Sequence, residues 1–296
     1  MISWLSPAKI NLHLRVLGRR KDGYHNIATL MQQISLYDEL EFSPREKEIV
    51  VRCPEGTLPE NEENIVFRAA ETLLTHSNCR AGVEITIRKN IPIAAGLGGG
   101  SSDAATTLMA LNDIFSLRLS RSKLMRIGAN LGADVPFFIF GPCAWAFGIG
   151  NRLKKPPLFL PSLWFVLLNP PLQISTKTVY EKLNLRLTNE TINYSIPRFY
   201  TVADIVGGLC NDLEGVTLNL HPHLQHLKDL LVRHGALGTL MSGSGPTIFG
   251  IFSDEEGATR TAVALQGAGP WSVFTAHSVQ RAAPSCSTWE RCCRAA

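Results

Sequence analysis

An α+β fold in two domains is what this sequence predicts, on three observations. The chain has 296 residues, enough for about two domains. Period-2 strand patterns mix with segments of helical spacing, without internal repeats. A Pro-rich link, Lys154 to Pro161, separates two differently patterned halves. The expected domains are residues 1–158 and 159–280, with 281–296 a loose tail that lacks any periodicity.

In the first half, Ile10, Leu12, Leu14 and Val16 alternate with Lys9, Asn11, His13 and Arg15, which predicts a strand with one buried face and Lys9 and Asn11 on the polar one. Strands follow at 31–42 and 48–53, turning at Pro44 and Arg45. Asn64 is a good N-cap for a helix that carries Ile65, Val66, Ala69, Ala70, Leu73 and Leu74. Residues 83–89 alternate as a strand and lead into a glycine-rich run, with Ser101, Ser102 and Asp103 capping the helix behind it. Ser120 opens a further helix with Leu124, Ile127 and Leu131, ending ahead of Pro136. Residues 137–141 and 144–150 read as short strands.

The second half opens with a buried strand, Leu163 to Leu168, and a short helix from Lys177 to Leu183. Helices are expected at 201–213 and 222–234, the latter starting at Pro222 and stopping at Gly235. A strand or turn at 237–252 precedes a helix with Ser253 and Glu256 as capping box, and 271–279 closes the unit as a strand.

Composition narrows the class of function. A hydrophobic fraction of 45% with 18% charged residues excludes a disordered protein. The net charge of +4, from 29 basic and 25 acidic residues dispersed along the chain, is too mild for a nucleic-acid binder and leaves a modest attraction for anionic substrates. The 7 cysteines are scattered without a CxxC pair, which suits a reducing compartment. The start lacks the basic and apolar regions of a signal peptide. The uncharged run Pro156 to Thr176 contains Pro156, Pro157, Pro161, Pro170 and Pro171, which would leave its backbone unsatisfied in lipid. The expectation is a cytoplasmic protein without nucleic-acid, membrane or obligate protein partner.

Three features carry chemistry. Gly96-Leu97-Gly98-Gly99-Gly100-Ser101-Ser102 lies between a strand and a helix, where glycines and free N–H groups suit a polyphosphate; a plain glycine hinge is the alternative. It has neither the lysine of a Walker A loop nor the spacing of a dinucleotide fold. Gly243-Ser244-Gly245-Pro246-Thr247 is either a turn or a second grip on phosphate, the pair that a phosphotransferase cleft needs. Asp134, framed by glycine, alanine and proline, is a cap or turn residue, or a base held in a cleft. Lys9 could be a surface lysine on a strand edge; if it meets Asp134, it would help lower the pKa of an accepting hydroxyl. His221, His223 and His226 read as a helix start rather than a metal site, since only the last two share a face.

Ser6-Pro7-Ala8-Lys9-Ile10-Asn11-Leu12, the loop Pro92 to Ser102, and Met241-Ser242-Gly243-Ser244-Gly245-Pro246-Thr247 resemble, in order, the three motifs of the GHMP kinases. Asp22-Gly23-Tyr24-His25 and Leu131-Gly132-Ala133-Asp134-Val135-Pro136 are similar to the members whose acceptor is a cytidyl diphosphate of methylerythritol, in non-mevalonate isoprenoid synthesis. The resemblance spans residues 4–280. It implies an N-terminal domain like ribosomal protein S5 domain 2, a ferredoxin-like C-terminal domain, and transfer of the γ-phosphate of ATP, with Mg²⁺, to a 2-hydroxyl. By the same resemblance Asp134 matches the catalytic base and Lys9 the catalytic lysine. Asn64, Ile65, Val66 and Lys89 match the adenosine site; Pro92, Ile93, Ala94, Ala95, Gly96, Leu97, Gly98, Gly99, Gly100, Ser101 and Ser102 match the ATP-phosphate loop, Ser102 also as a metal ligand. Asn11, Thr176, Gly243, Ser244 and Gly245 match substrate contacts. Tyr24, His25 and Tyr180 match the cytidine pocket, where two aromatic faces can stack a base and a histidine can read its edge. Ala94 and Ala95 stand where some relatives have glycine, so only Gly96 to Gly100 should need unusual backbone angles.

Overall fold

The computed structural model describes residues 1–56, 58–156, 161–183 and 194–280. The expected tail at 281–296, with Cys286, Cys292 and Cys293, and part of the Pro-rich link lie outside the described residues. The chain runs β1 (Ile2–Arg19), β2 (His25–Arg45), β3 (Ile49–Arg52), α1 (Ile65–His76), β4 (Gly82–Arg88), α2 (Gly99–Ile114), α3 (Arg121–Ala129), α4 (Val135–Phe140), β5 (Cys143–Gly148) and β6 (Arg152–Lys154). It continues with β7 (Trp164–Asn169), α5 (Thr176–Glu181), α6 (Val202–Gly207), β8 (Cys210–Asn211), α7 (Glu214–Leu220), α8 (His223–Arg233), β9 (Gly238–Met241), β10 (Ile248–Phe252), α9 (Glu255–Leu265) and β11 (Ser272–His277).

Two sheets organise these elements. The first runs β3-β4-β2-β1-β8, with β5 and β6 added along β2. The long β2 pairs with β1 along one edge and shares its other edge between β5 at its start and β4 at its end. The second sheet, β11-β7-β10-β9, is antiparallel. Alternation along β7 and β10 explains the layering. Phe165, Leu167, Phe249 and Ile251 pack with Ile10, Leu12 and Trp145 of the first sheet. Val166, Leu168, Ile248 and Phe252 face the other way, onto Leu224, Leu227 and Leu231 of α8 and Leu265 of α9. On the far side of the first sheet, Leu40, Phe42, Ile85 and Ile87 meet Val66, Leu73, Leu108 and Leu111 of α1 and α2. The order through the molecule is therefore helices, sheet, sheet, helices, and the α+β class stands.

Several local expectations need correction. β1 is buried on both faces, because its polar residues Lys9, Asn11 and His13 lie beneath other elements. His13 donates from Nδ1 to the Gly208 carbonyl at 2.7 Å and accepts from the Tyr194 hydroxyl at 2.5 Å in the tautomer that satisfies both contacts. Residues 137–140 are helical: Pro136 sits in the first turn of α4, where its missing N–H breaks no bond, so it starts a helix. The expected helix over 201–213 stops at Gly207-Gly208, and Cys210–Asn211 instead adds to β1 as a parallel strand. Pro44 and Arg45 remain within β2. The cap of α9 is Asp254, which accepts from the Gly257 N–H, in place of the Ser253 box. Asn64 and Ser120 cap α1 and α3 as their chemistry dictates.

A buried ionic cluster joins sheet and helix beneath the glycine-rich loop. Lys89, just past β4, donates to Asp38 on β2 and, at 2.8 Å, to Asp103 in the first turn of α2. The second oxygen of Asp38 accepts from the N–H groups of Asn90 and Ile91, at 2.7 and 2.8 Å, and so fixes where the loop departs. Burial disfavours the Lys89 charge, but the two carboxylates outweigh it and hold its pKa above the usual value. Asp103 is pushed up to about 7, first by burial and then by the charge of Asp38, against the pull of Lys89.

Two predictions follow from this packing and charge. Phe249, wholly buried between the sheets edge-on to Phe165, should on replacement by alanine cost about 3–5 kcal/mol, seen as a lower midpoint in urea denaturation. A carboxyl whose folded pKa, about 7, stands above its ordinary 3.8 binds its proton more tightly when folded. Its stabilisation is full below about pH 4 and is lost as the pH rises to about 7. Asp103→Asn keeps the shape without the titration, so wild type should lose stability relative to the variant across that interval in urea melts at stepped pH. Parallel curves would contradict the assignment.

Candidate active site

The glycine-rich loop crosses the gap between the two sheets, and its backbone is set by contacts on both sides. Gly96 and Gly98 take φ of +77° and +72°. A Cβ on Gly96 would run into the Ser242 carbonyl oxygen, so the two glycine-rich segments touch backbone to backbone. Ser242 Oγ donates to the Gly96 carbonyl at 2.9 Å. Gly98, left-handed and without any side-chain bond, is the N-cap of α2. The expected cap of Ser101, Ser102 and Asp103 is therefore displaced into the first turn, where N–H groups without intrahelical partners remain available. Unusual angles are also distributed differently from expectation: Gly99 and Gly100 are helical, whereas Ala94 adopts φ +55°, a conformation that disfavours a Cβ.

Lys9 is the centre of the site. It is 4% exposed, which removes the surface-lysine reading. Its Nζ donates to Asn11 Oδ1 at 2.7 Å and to the Gly96 carbonyl at 2.9 Å, and lies 3.8 Å from Asp134 Oδ2. Burial pushes its pKa below the usual lysine value, opposed by the charge of Asp134 and a hydrogen bond to it. Asn11 Nδ2 donates in turn to Thr29 Oγ1 at 2.9 Å, which holds the amide with its oxygen toward Lys9. Asp134 precedes α4, yet its carboxylate caps nothing, and its side chain is 37% exposed. Of the alternatives open to it, the structure leaves a carboxylate that faces a cleft.

That cleft is a cavity of about 1220 Å³, above the usual 300–1,000 Å³ of a single-ligand pocket. Its wall includes Lys9, Asn11, Asp134, Asn64, Ile65 and Lys89. Pro92, Ile93, Ala94, Ala95, Gly96, Gly98, Gly99, Gly100 and Ser101 line it too. So do Tyr24, His25, Thr176, Tyr180, Gly243 and Ser244. Val66, Leu97, Ser102 and Gly245 are not on the wall: Val66, Leu97 and Ser102 are buried behind it. Lys89 faces the cavity with its ammonium already held by Asp38 and Asp103. Thr176 and Ser244 share a hydroxyl hydrogen bond of 2.8 Å.

The aromatic corner differs from a simple sandwich. His25 and Tyr180 stack directly, centroids 5.0 Å apart and planes at 28°, so no base fits between these two rings. Tyr24 is 62% exposed at the rim. The Tyr180 hydroxyl is raised to about 12 by burial and then by the charge of Asp134, so it stays protonated and able to donate. Burial, and secondly Arg19, lower the pKa of His25.

Two acids were missed as members of this assembly, although one was visible. Asp38 lies in phase with Leu40 and Phe42 and out of phase with Glu39 and Glu41, which puts a carboxylate on the apolar face of a strand and requires a buried partner. A metal expectation rests on Ser102, whose Oγ is buried without a hydrogen-bond partner. No group of three His, Cys, Asp or Glu residues that could hold an ion exists among the described residues. One hydroxyl buried behind the cavity wall does not make a cation site by itself, so a cation accompanying ATP would take its ligands chiefly from the nucleotide phosphates.

Residues 64–142 match the GHMP kinases N terminal domain and residues 197–270 the GHMP kinases C terminal domain. The chain is 61% identical to a 4-diphosphocytidyl-2-C-methyl-D-erythritol kinase of Syntrophus aciditrophicus, over 94% of this chain and 100% of the relative. It is 51% identical to the protein of the same name from Syntrophotalea carbinolica, over 94% and 99% of the two chains. A crystal structure of 4-(cytidine 5'-diphospho)-2C-methyl-D-erythritol kinase superposes with a TM-score of 0.77 at 37% identity, covering 93% of this chain and 98% of that one. No helix among the described residues is long and apolar enough to cross a membrane. With both kinase domains matched and whole-length relatives so similar, this chain belongs to the 4-diphosphocytidyl-2-C-methyl-D-erythritol kinases of the GHMP kinase family.

Proposed function

We propose that this protein transfers the γ-phosphoryl group of ATP to the 2-hydroxyl of 4-diphosphocytidyl-2-C-methyl-D-erythritol, releasing ADP and the 2-phosphate, a step in non-mevalonate isoprenoid precursor synthesis. The observation that carries the reading is that one cavity joins a helix start behind a glycine-rich loop, the Lys9–Asp134 pair, and an aromatic corner suited to a pyrimidine. The nucleotide phosphates lie against the free N–H groups at the start of α2, with the purine toward Asn64 and Ile65. Asp134 takes the proton of the 2-hydroxyl as its oxygen attacks the γ-phosphorus, and the bond to the β-phosphate oxygen breaks. Lys9, held by Asn11 and the Gly96 carbonyl, places its ammonium where negative charge gathers on the attacking oxygen and the transferred group. Ser102 is the residue here that would help hold Mg²⁺, if its buried hydroxyl turned toward the phosphates, and the ion would supply charge neutralisation.

At the other substrate, Tyr24 moves over the open face of the pyrimidine while Tyr180 supports it, and the edge of His25 reads the polar groups of the ring. Thr176, Gly243 and Ser244 border the path between the base and the acceptor hydroxyl. Residues 1–158 and 159–280 act as two domains of one cleft, and the reaction belongs in the cytoplasm, where ATP is available and thiols such as Cys79, Cys143 and Cys210 stay reduced.

The test is ADP release with the cytidyl substrate, mevalonate and homoserine as separate acceptors. Only the first should be turned over, and turnover of either of the others instead would overturn the reading. Asp134→Asn should lower kcat by about 10²–10⁴-fold, with ATP and substrate binding by calorimetry largely kept. Near-normal turnover would remove Asp134 from the reaction.

A further inference from the structure

A substrate that carries a diphosphate between its base and its acceptor alcohol brings negative charge that the cavity must meet. Four cationic side chains line the cavity: Lys9, Arg19, Lys89 and Lys177. Lys9 is engaged by Asn11, Gly96 and Asp134, and Lys89 by Asp38 and Asp103. Lys177, on α5, is 86% exposed at the cavity's edge and lies 4.0 Å from Glu181, which offsets its charge. Arg19 differs from all three. It ends β1 directly opposite His25 in the β1–β2 ladder, and directly opposed residues of an antiparallel pair project from the same face. Its guanidinium therefore extends on the side where His25 stacks on Tyr180, close enough to help lower the pKa of that histidine.

The neighbouring arginine shows by contrast that Arg19 is available. Arg20 closes on Asp22 through both its Nε and Nη2, at 2.8–3.1 Å, within the turn that also receives the Tyr24 N–H. The acid nearest in sequence is thereby used, and no carboxylate lies within ion-pair distance of Arg19 among the described residues. A planar guanidinium with its donors unspent, beside a nucleobase corner and on the wall of the same cavity, is the chemistry that binds two phosphate groups in a forked arrangement.

We infer that Arg19 binds the diphosphate of the cytidyl substrate and so sets the enzyme's preference for a nucleoside diphosphate ester over a plain nucleoside or an uncharged polyol. The inference rests on the functional reading above. It also gives the paired arginines of this hairpin separate tasks, Arg20 shaping the turn and Arg19 meeting the ligand.

The experiment uses the full chain and compares wild type with Arg19→Gln and Arg19→Lys. Arg19→Gln should raise KM for the cytidyl substrate about tenfold with kcat and the KM for ATP within about twofold, and Arg19→Lys should recover part of the loss. The inhibition constant of CDP should rise with it, while that of cytidine stays put, because only CDP carries the diphosphate. An unchanged KM in Arg19→Gln, or equal shifts for CDP and cytidine, overturns the assignment while wild-type turnover leaves the functional reading intact. A wild type that does not phosphorylate the cytidyl substrate overturns both.

Discussion

An ammonium group buried among apolar strands is costly unless its charge and its three donors are met, and Lys9 meets this condition by drawing three distant parts of the chain together. Asn11 lies on its own strand, the Gly96 carbonyl on the glycine-rich loop, and Asp134 at the entry of α4. The backbone N–H of Lys9 also donates to the Leu97 carbonyl at 2.9 Å, so strand and loop are joined twice. Placing the lysine correctly therefore also places the glycine-rich loop and the Asp134 carboxylate on the wall of one cavity. The same contacts that satisfy a buried charge in the fold give the cavity its geometry.

Beneath the loop, Asp38, Lys89 and Asp103 perform a related task for the other end of the segment. Asp38 takes both N–H groups just after Lys89, while Asp103 ties the lysine to the first turn of α2. The segment between them is thus anchored where it leaves the sheet and where it enters the helix. Ser242 holds its middle from the second half of the chain. A loop fixed at three points can keep Ala94 and two glycines at positive φ, which the free chain would rarely adopt. Its order comes from tertiary contacts and its glycines make that order attainable.

The aromatic corner is held less tightly. Tyr24 stands in solvent, and the direct stack of His25 on Tyr180 occupies ring surface that a base could use. On the proposed reading, the site combines a closely bonded centre for phosphoryl transfer with a more open rim for the acceptor. That division suits chemistry in which alignment of oxygen and phosphorus decides the rate, whereas the base supplies binding energy at a distance from the reacting atoms.

Much of this was legible in the order of residues. Alternation identified β1 and β4, a continuous apolar run identified β7, side-chain chemistry identified Asn64 and Ser120 as caps, and the glycine-rich segments with Lys9 and Asp134 pointed to a kinase cleft, because each depends on local spacing or on a motif whose residues are contiguous. What local pattern could not decide were matters of contact across the fold. Pro136 starts a helix, Val135–Phe140, that packs against α2 and α3; Gly207-Gly208 stops one because Cys210–Asn211 completes the edge of β1. Burial of both faces of β1, the engagement of Lys89 by two carboxylates, and the freedom of Arg19 beside a spent Arg20 arise from partners far away in sequence or from a turn's own geometry. The order of residues settles which chemical groups are present and most of the elements that carry them. Which of those groups satisfy one another and which are left facing the cavity follows from the folded arrangement, since a hydrogen bond or an ion pair is a property of two positions in space.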